Sequence, residues 1–471
     1  MLAVIARKEF TEMTRDGRFR WAAAVTAVLL AVALTAGAVS WRAQRALQEQ
    51  ATGQMRDFWL AQGSKNPHSA AHYGLWAFKP KLTLAYLDQG VDPYTGVAAW
   101  LEAHKQNEFR FRPAADASAV QRLGEWTAAG ILQVLVPLLV IVAGFGAFAT
   151  EREQGTLRQL ASLGVPARAL VLGKLAGVGG ALGLVLVPAA IIGAAALALA
   201  AGGPALVADV PRLAVLALVY LGYFLVVAAA TLAVSARART ARAALVVLLL
   251  GWASTTLVMP RLAAGIARRV HPTPSAFAFS QAMAADLAKG SDGHSPSEAA
   301  EQLKATLLKQ YNVATVEALP VNFNAVEMQQ SEEHGNVVFD RQFGRLYDTY
   351  RAQSRVHVLA GLLAPVLPVR ALSMAIAGTD VEQHRAFATA AEQYRRLLVK
   401  AMNDDMAVNS KTGDWSYKAG PSLWAQIPPF TYEAPPLATA LGSAAGALVV
   451  FGAWLVAAAS ALAAIRRLDV A

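Results

Sequence analysis

Six stretches of the chain are predominantly apolar and uncharged for 17 or more residues: Trp21–Val39, Thr127–Thr150, Leu175–Ala201, Leu213–Val234, Ala243–Met259 and Leu437–Ile465. None contains Asp, Glu, Lys, Arg or His. A helix that crosses a hydrocarbon core needs about 17–25 such residues, and a helix apolar all round has no polar face to give to water. The pattern therefore predicts six membrane spans, the fifth short and the sixth long. The first is too long for the core of a signal peptide, and its leader carries Glu9, Glu12 and Asp16.

Between the spans the pattern turns amphipathic. In residues 1–20, Leu2, Ile5, Phe10 and Met13 fall on one helical stripe with Arg7, Lys8 and Arg15 beside it, which predicts an in-plane helix. In residues 151–174, Thr156 is placed to cap a short helix bearing Leu157, Leu160 and Leu163 on one side. Gly164 suits its end and Pro166 the start of the next helix. Nothing in that short loop covers the leucine stripe, so the stripe is expected to dock on headgroups or on a partner protein.

Two long segments remain, 40–126 and 260–436, with the short segment 202–212 on the same side. The first is expected to continue span one as helix through Gln62. It then runs through Asn66-Pro67-His68, an extended stretch at Pro80 and a turn at Asp92-Pro93-Tyr94-Thr95-Gly96. A helix near Val97–Asn107 and a short strand at Phe109–Arg112 follow. The second segment reads as helices. Ser295-Pro296-Ser297-Glu298 and Thr379-Asp380-Val381-Glu382 are capping boxes leading into Ala299–Tyr311 and a helix through about Met402; Gln342–Arg355 is a third helix. His357–Ala377 is apolar but broken by Pro365, Pro368 and Arg370. It suits a re-entrant segment or the core of the outer domain.

Composition agrees: 55% of residues are hydrophobic, only 16% are charged, and there is no Cys. A disulfide scaffold, a Cys-bound zinc site and a thiol nucleophile are excluded. The net charge is +10. Segments 1–20, 151–174, 235–242 and 466–471 hold 14 basic and 6 acidic residues; the rest of the chain holds 28 and 26. The positive-inside rule places both termini in the cytoplasm and the two long segments outside. The basic balance is a topology bias rather than a nucleic-acid footprint.

Candidate chemistry is sparse. No G-x-x-x-x-G-K-[ST] loop exists; Gly173-Lys174 is followed by Leu175. The chain itself is not expected to be an enzyme, to hydrolyse ATP or to need a cofactor. His68 and His72, four apart, share a face on any helix and could begin a metal site, but no third ligand stands near them in sequence, and a polar surface is the simpler expectation. A membrane metalloenzyme using them is the least favoured reading. Glu332-Glu333-His334 lacks a second His and reads as a solvated helix end before Gly335. Gly179-xxx-Gly183 and Gly442-xxx-Gly446 are candidate close-packing sites for helices.

The loop Glu151, Glu153, Gly155, Thr156, Leu157, with Gly173-Lys174 closing it, and the start Arg7-Lys8-Glu9-Phe10 resemble the type-2 ABC exporter permeases. Asn66-Pro67-His68-Ser69-Ala70-Ala71-His72-Tyr73-Gly74 and Asp92-Pro93-Tyr94-Thr95-Gly96 resemble a subgroup of them with large outer insertions. The resemblance implies a mainly α polytopic fold with an in-plane N-terminal helix. It also implies pairing with a second, identical or homologous, permease and docking of a separate ATP-binding cassette subunit. Glu151, Glu153, Gly155, Thr156, Leu157, Arg158 and Leu160 would form the coupling contact. The outer insertions are large for the family and leave open a partner in the envelope. The alternative is a membrane-anchored binding or scaffold protein whose outer domains act alone.

Overall fold

In the computed structural model, residues 1–118, 127–289 and 296–465 are described. The predicted cap at Ser295 and the tail 466–471 lie outside them. Six helices among the described residues are long and apolar enough to cross a membrane. They are α2 (Gly17–Leu60), α6–α7 (Ala128–Gly144 and Ala149–Glu153), α9 (Ala167–Ala201), α10 (Gly203–Arg237), α11–α12 (Ala241–Ala253 and Met259–Val270) and α20 (Ala445–Ile465). Large apolar side chains such as Val28, Leu184, Ile191, Leu218, Leu250 and Val449 stand exposed around the bundle. That surface is costly in water and suited to lipid. The protein is a mainly α, polytopic membrane protein.

Three spans differ from their predicted outlines. The fourth helix begins at Gly203 rather than Leu213, so most of the 202–212 connection is helical. The short fifth span continues as one rod, because a π-helical turn at Ser254–Val258 carries it past Pro260 to Val270. The long sixth stretch is two helices, α19 (Leu437–Ser443) and α20, with a break at Ala444.

α1 (Leu2–Arg15) precedes α2 after a sharp turn at Asp16, whose carboxylate caps α2 by accepting from Arg18 N. At the same end lie α7, α8 (Thr156–Ser162) and the start of α9. We call this the loop end.

At the opposite end, the two long segments form one body on the rigid extension of α2. Trp59 donates to Trp424 O (3.1 Å), and Trp424 donates to Gly63 O (2.7 Å). Lys65 and Ala419 pair as a backbone bridge. Both indoles are buried in a core shared with Ala70, Leu75, Leu101, Leu398 and Met402. α3 (Pro67–Tyr73), capped by Asn66, packs on α17 (Val381–Asn409).

The expected helix at Val97–Asn107 is instead a β-hairpin, β2 (Ala98–Glu102) and β3 (Lys105–Gln106). β1 (Leu75–Phe78) pairs antiparallel with β2, Leu75 opposite Leu101 and Trp76 opposite Trp100. The two alanines favour helix locally. Burial of Ala99 and Leu101 on one face, with Trp76 and Trp100 paired on the other, favours strand. Phe109–Arg112 makes only the isolated bridge Ala98–Arg110.

In the second segment, α15 (Phe323–Ala360) is one continuous helix. Glu332-Glu333-His334 is therefore mid-helix rather than a helix end, and Glu332 is buried. The cap of α17 is Asp380, which accepts from Gln383 N, not Thr379; Glu382 pairs with Arg351 instead of folding back. His357–Ala377 resolves into the end of α15 and α16 (Val366–Ala377). α16 is buried against α6, α10 and α20 and belongs to the core of the bundle.

Candidate functional site

The 151–166 loop is built on a left-handed residue. Gly155 (φ 76°) turns the chain between α7 and α8, a conformation open to glycine at little cost. Thr156 is the first helical residue and does not cap; its hydroxyl donates to Glu151 O (3.1 Å). Leu157 is buried among Phe148, Leu170, Leu232, Ala236 and Ile465, and Leu160 packs beside them. The leucine stripe is thus split. Its first part is covered by the chain's own helices, while Leu163 is 78% exposed. Glu153, Arg158 and Gln159 face outward with it.

Beneath the loop sits a buried ion-pair knot. Lys174, on α9 and 0% exposed, donates to Glu9 Oε1 (2.7 Å) and Glu151 Oε1 (2.8 Å). Lys8 joins from the rim, 2.9 Å from the same Glu151 oxygen and 3.2 Å from Glu9. Lys8 also pairs with Glu12 (3.1 Å), so two cations meet three carboxylates, the third of them exposed, and Lys174 lies over the Phe148 ring. Burying these charges is tolerable because each has an opposite partner at hydrogen-bond distance. α1 reaches the knot by lying directly on α9. A Cβ at Gly173 would sit 2.6 Å from Ile5, and one at Gly177 2.6 Å from Glu9.

The other end of the loop is fixed to α10. Arg152 donates to Ala238 O (2.9 Å) and Ala236 O (2.6 Å), and Ser235 Oγ accepts from Phe148 N and Ala149 N. α7 is thereby tied to α1, α9 and α10, and α8 follows it across Gly155, held by the buried Leu157 while its outer face stays exposed.

The sequence profile of the ABC-2 family transporter proteins matches residues 3–274, more than half of the chain, including the ion-pair knot and the loop above it. The chain belongs to that family. A second profile, a domain of unknown function (DUF3526), matches residues 276–433, the second long segment of the permease. No curated protein matches the chain.

The sequence motifs include Lys8, Glu9 and Lys174 but do not reveal that they meet at Glu151, and they give no place to Arg152 and Ser235. Two signals were available. Glu9 interrupts the apolar spacing Ile5, Glu9, Met13, and Lys174 stands where α9 turns apolar. Gly179, Gly183 and Gly442 are open: a Cβ at any of them would meet nothing within 4 Å, and one at Gly446 only Val358 at 3.5 Å.

The far end of the permease holds a second polar cluster that no span sequence revealed. Asp88 and Arg370, both from the long segments, reach the ends of the spans. Ser373 donates to Asp88 (2.5 Å) and pairs with Tyr220 (2.9 Å); Gln133 donates to Tyr220 (3.1 Å) and accepts from Arg370 (3.2 Å). Asp88, Gln133 and Arg370 border a cavity of about 300 Å³. Above it, His68 and His72 share one face of α3, and the hairpin brings His104 to them.

Proposed function

We propose that this permease is the membrane-spanning half-unit of an ATP-driven export system, with α8 as the element that receives force from a separate ATP-binding cassette subunit. The observation that carries the reading is the ion-pair knot. Together with the Arg152 and Ser235 hydrogen bonds it ties α7 to α1, α9 and α10, and α8 is joined to α7 through Gly155 and the buried Leu157, so a push on α8 has a short path into the bundle.

The contact residues divide into two sets. Glu153, Arg158, Gln159 and Leu163 meet the ATP-binding subunit, whereas Glu151, Gly155, Thr156, Leu157 and Leu160 hold the helix in position. The basic loop end faces the cytoplasm of a bacterial inner membrane, with both termini inside and the long segments outside. A second copy, or a homologous permease, completes the pathway along the open glycine faces at Gly179, Gly183, Gly442 and Gly446, with lipid covering the remaining apolar surface.

Co-expression of the permease with its ATP-binding subunit tests this. Glu153→Lys with Leu163→Asp, both at exposed positions, is expected to abolish co-purification and permease-dependent ATPase activity while the permease stays monodisperse. Unchanged co-purification would sink the assignment. The shared core of the two long segments favours the rival reading, a membrane-anchored binding or scaffold protein. That reading predicts no ATP-binding partner at all.

A further inference from the structure

Three imidazoles converge on the outer body. His68 and His72 lie one turn apart on α3, with their Nε2 atoms 3.0 Å apart. His104 comes from the two-residue turn between β2 and β3. One ligand nitrogen from each ring lies within 4.8 Å of the others. The ring centroids are 4.5, 4.9 and 5.5 Å apart.

Tetrahedral zinc with Zn–N bonds of about 2.0–2.1 Å holds its donors about 3.3 Å from one another, so a small closure of the His104 ring completes three sides of such a site. Two further features do not follow from a surface cluster of histidines. His104 has φ 65°, a left-handed turn position that few side chains adopt, histidine among them, so the turn holds the imidazole in one place.

Behind it stands a carboxylate. Glu332 Oε1 is 2.6 Å from both His104 Nδ1 and His104 N. With Nδ1 engaged by this carboxylate, Nε2 is the His104 nitrogen free to serve as a ligand. Glu332 is buried and held in turn by Arg395 Nη1 (3.0 Å). Arg395 is 1% exposed and also bound to Glu392, to Asn336 and to Glu102 O. A histidine oriented by a buried carboxylate is the usual outer shell of a metal ligand.

We propose that His68, His72 and His104 bind one zinc ion, with Glu332 as the orienting carboxylate. Imidazole ligands select borderline metals such as zinc over magnesium or calcium. His72 and His104 are exposed, so the fourth position opens to solvent and takes water or a donor atom from a bound molecule. The ligands come from the first long segment and the orienting carboxylate from the second, so metal binding clamps the two together.

The test uses full-length protein, purified with a histidine-free tag, stripped with chelator and titrated with zinc or cobalt alone. One equivalent of zinc is expected to survive dialysis. Cobalt should give the intense visible bands of a four-coordinate ion. His72→Gln and His104→Asn, the latter tolerant of the left-handed turn, should each weaken zinc binding by at least about 100-fold. Glu332→Gln should weaken it by about 10–100-fold and leave the stoichiometry at one. His357→Gln, remote from the cluster, should change nothing. Failure of the stripped protein to take up stoichiometric zinc, or unchanged binding in His72→Gln, would overturn the proposal. His72 is exposed at the end of α3, so that variant decides the matter even if Glu332→Gln does not fold.

Discussion

Replacing Lys174 by Met removes the central cation of the knot while keeping the length and apolar stem of the side chain. Glu9 Oε1 and Glu151 Oε1 both bond the same Nζ, so they lie at most about 5.5 Å apart. Without Lys174 they repel by about 3 kcal/mol at an effective dielectric near 20. Lys8 offsets part of this, but its side chain is 45% exposed and its contribution is screened by solvent. Stranding a buried charge costs about 3–5 kcal/mol, and the same range is expected here. Thermal unfolding of the purified permease in detergent should therefore shift down by several degrees. Glu9→Gln and Glu151→Gln added together to Lys174→Met should recover most of the loss, because neutral groups need no counter-charge. The triple variant separates an electrostatic role from a packing role. A single Lys174→Met variant as stable as the parent, or a triple variant no better than the single, would refute the knot as the anchor of the loop.

Three other outcomes follow from particular contacts. Gly177→Val places a side chain where Glu9 Cβ now lies, so α1 should lift from α9; faster proteolysis within residues 1–20 is the readout, and an unchanged digestion pattern would count against the docking. Gly155→Ala, at φ 76°, should cost about 1 kcal/mol and lower the unfolding temperature without affecting Lys174→Met additively, since both loosen the same loop. His384 is buried against Phe109 and Tyr347, and its Nδ1 has no partner. Burial, then the charges of Lys79 and Arg112, push its pKa down to about 3. The unfolded chain binds this proton below about pH 6.5 and the folded chain does not. Stability from this group is thus full above pH 6.5 and falls as the pH drops toward 3. Between pH 7.5 and 5 the loss is about 2 kcal/mol. His384→Leu should flatten that part of the unfolding-temperature profile; an equal slope in both proteins would exclude His384 as its source.

The six apolar runs, the N-terminal helix and the 151–166 loop were legible because each rests on a local pattern: length without charge, a stripe at helical spacing, a glycine at a turn. The hairpin at 98–106 was not. Its alanines favour helix until β1, 20 residues earlier, offers a strand to pair with. The same holds for Glu332, which looks like a solvated helix end until Arg395 and His104 close on it across the fold. Thr156 and Thr379 each stood one residue from the turn that organises their helix, and a difference of one residue depends on backbone geometry rather than residue type.

The sequence by itself determined that the chain lives in a membrane, how many times its helices can cross, and which short loop is exposed between them. Apolar burial in lipid acts residue by residue and needs no partner to be known. Tertiary structure alone decided where the charges go. Lys174 finds Glu9 across 165 residues, Asp88 reaches Ser373 across 285, and His104 joins His68 and His72 by way of a hairpin. A buried charge or a ligand nitrogen is stable only beside its complement, and that complement is fixed by how distant helices pack.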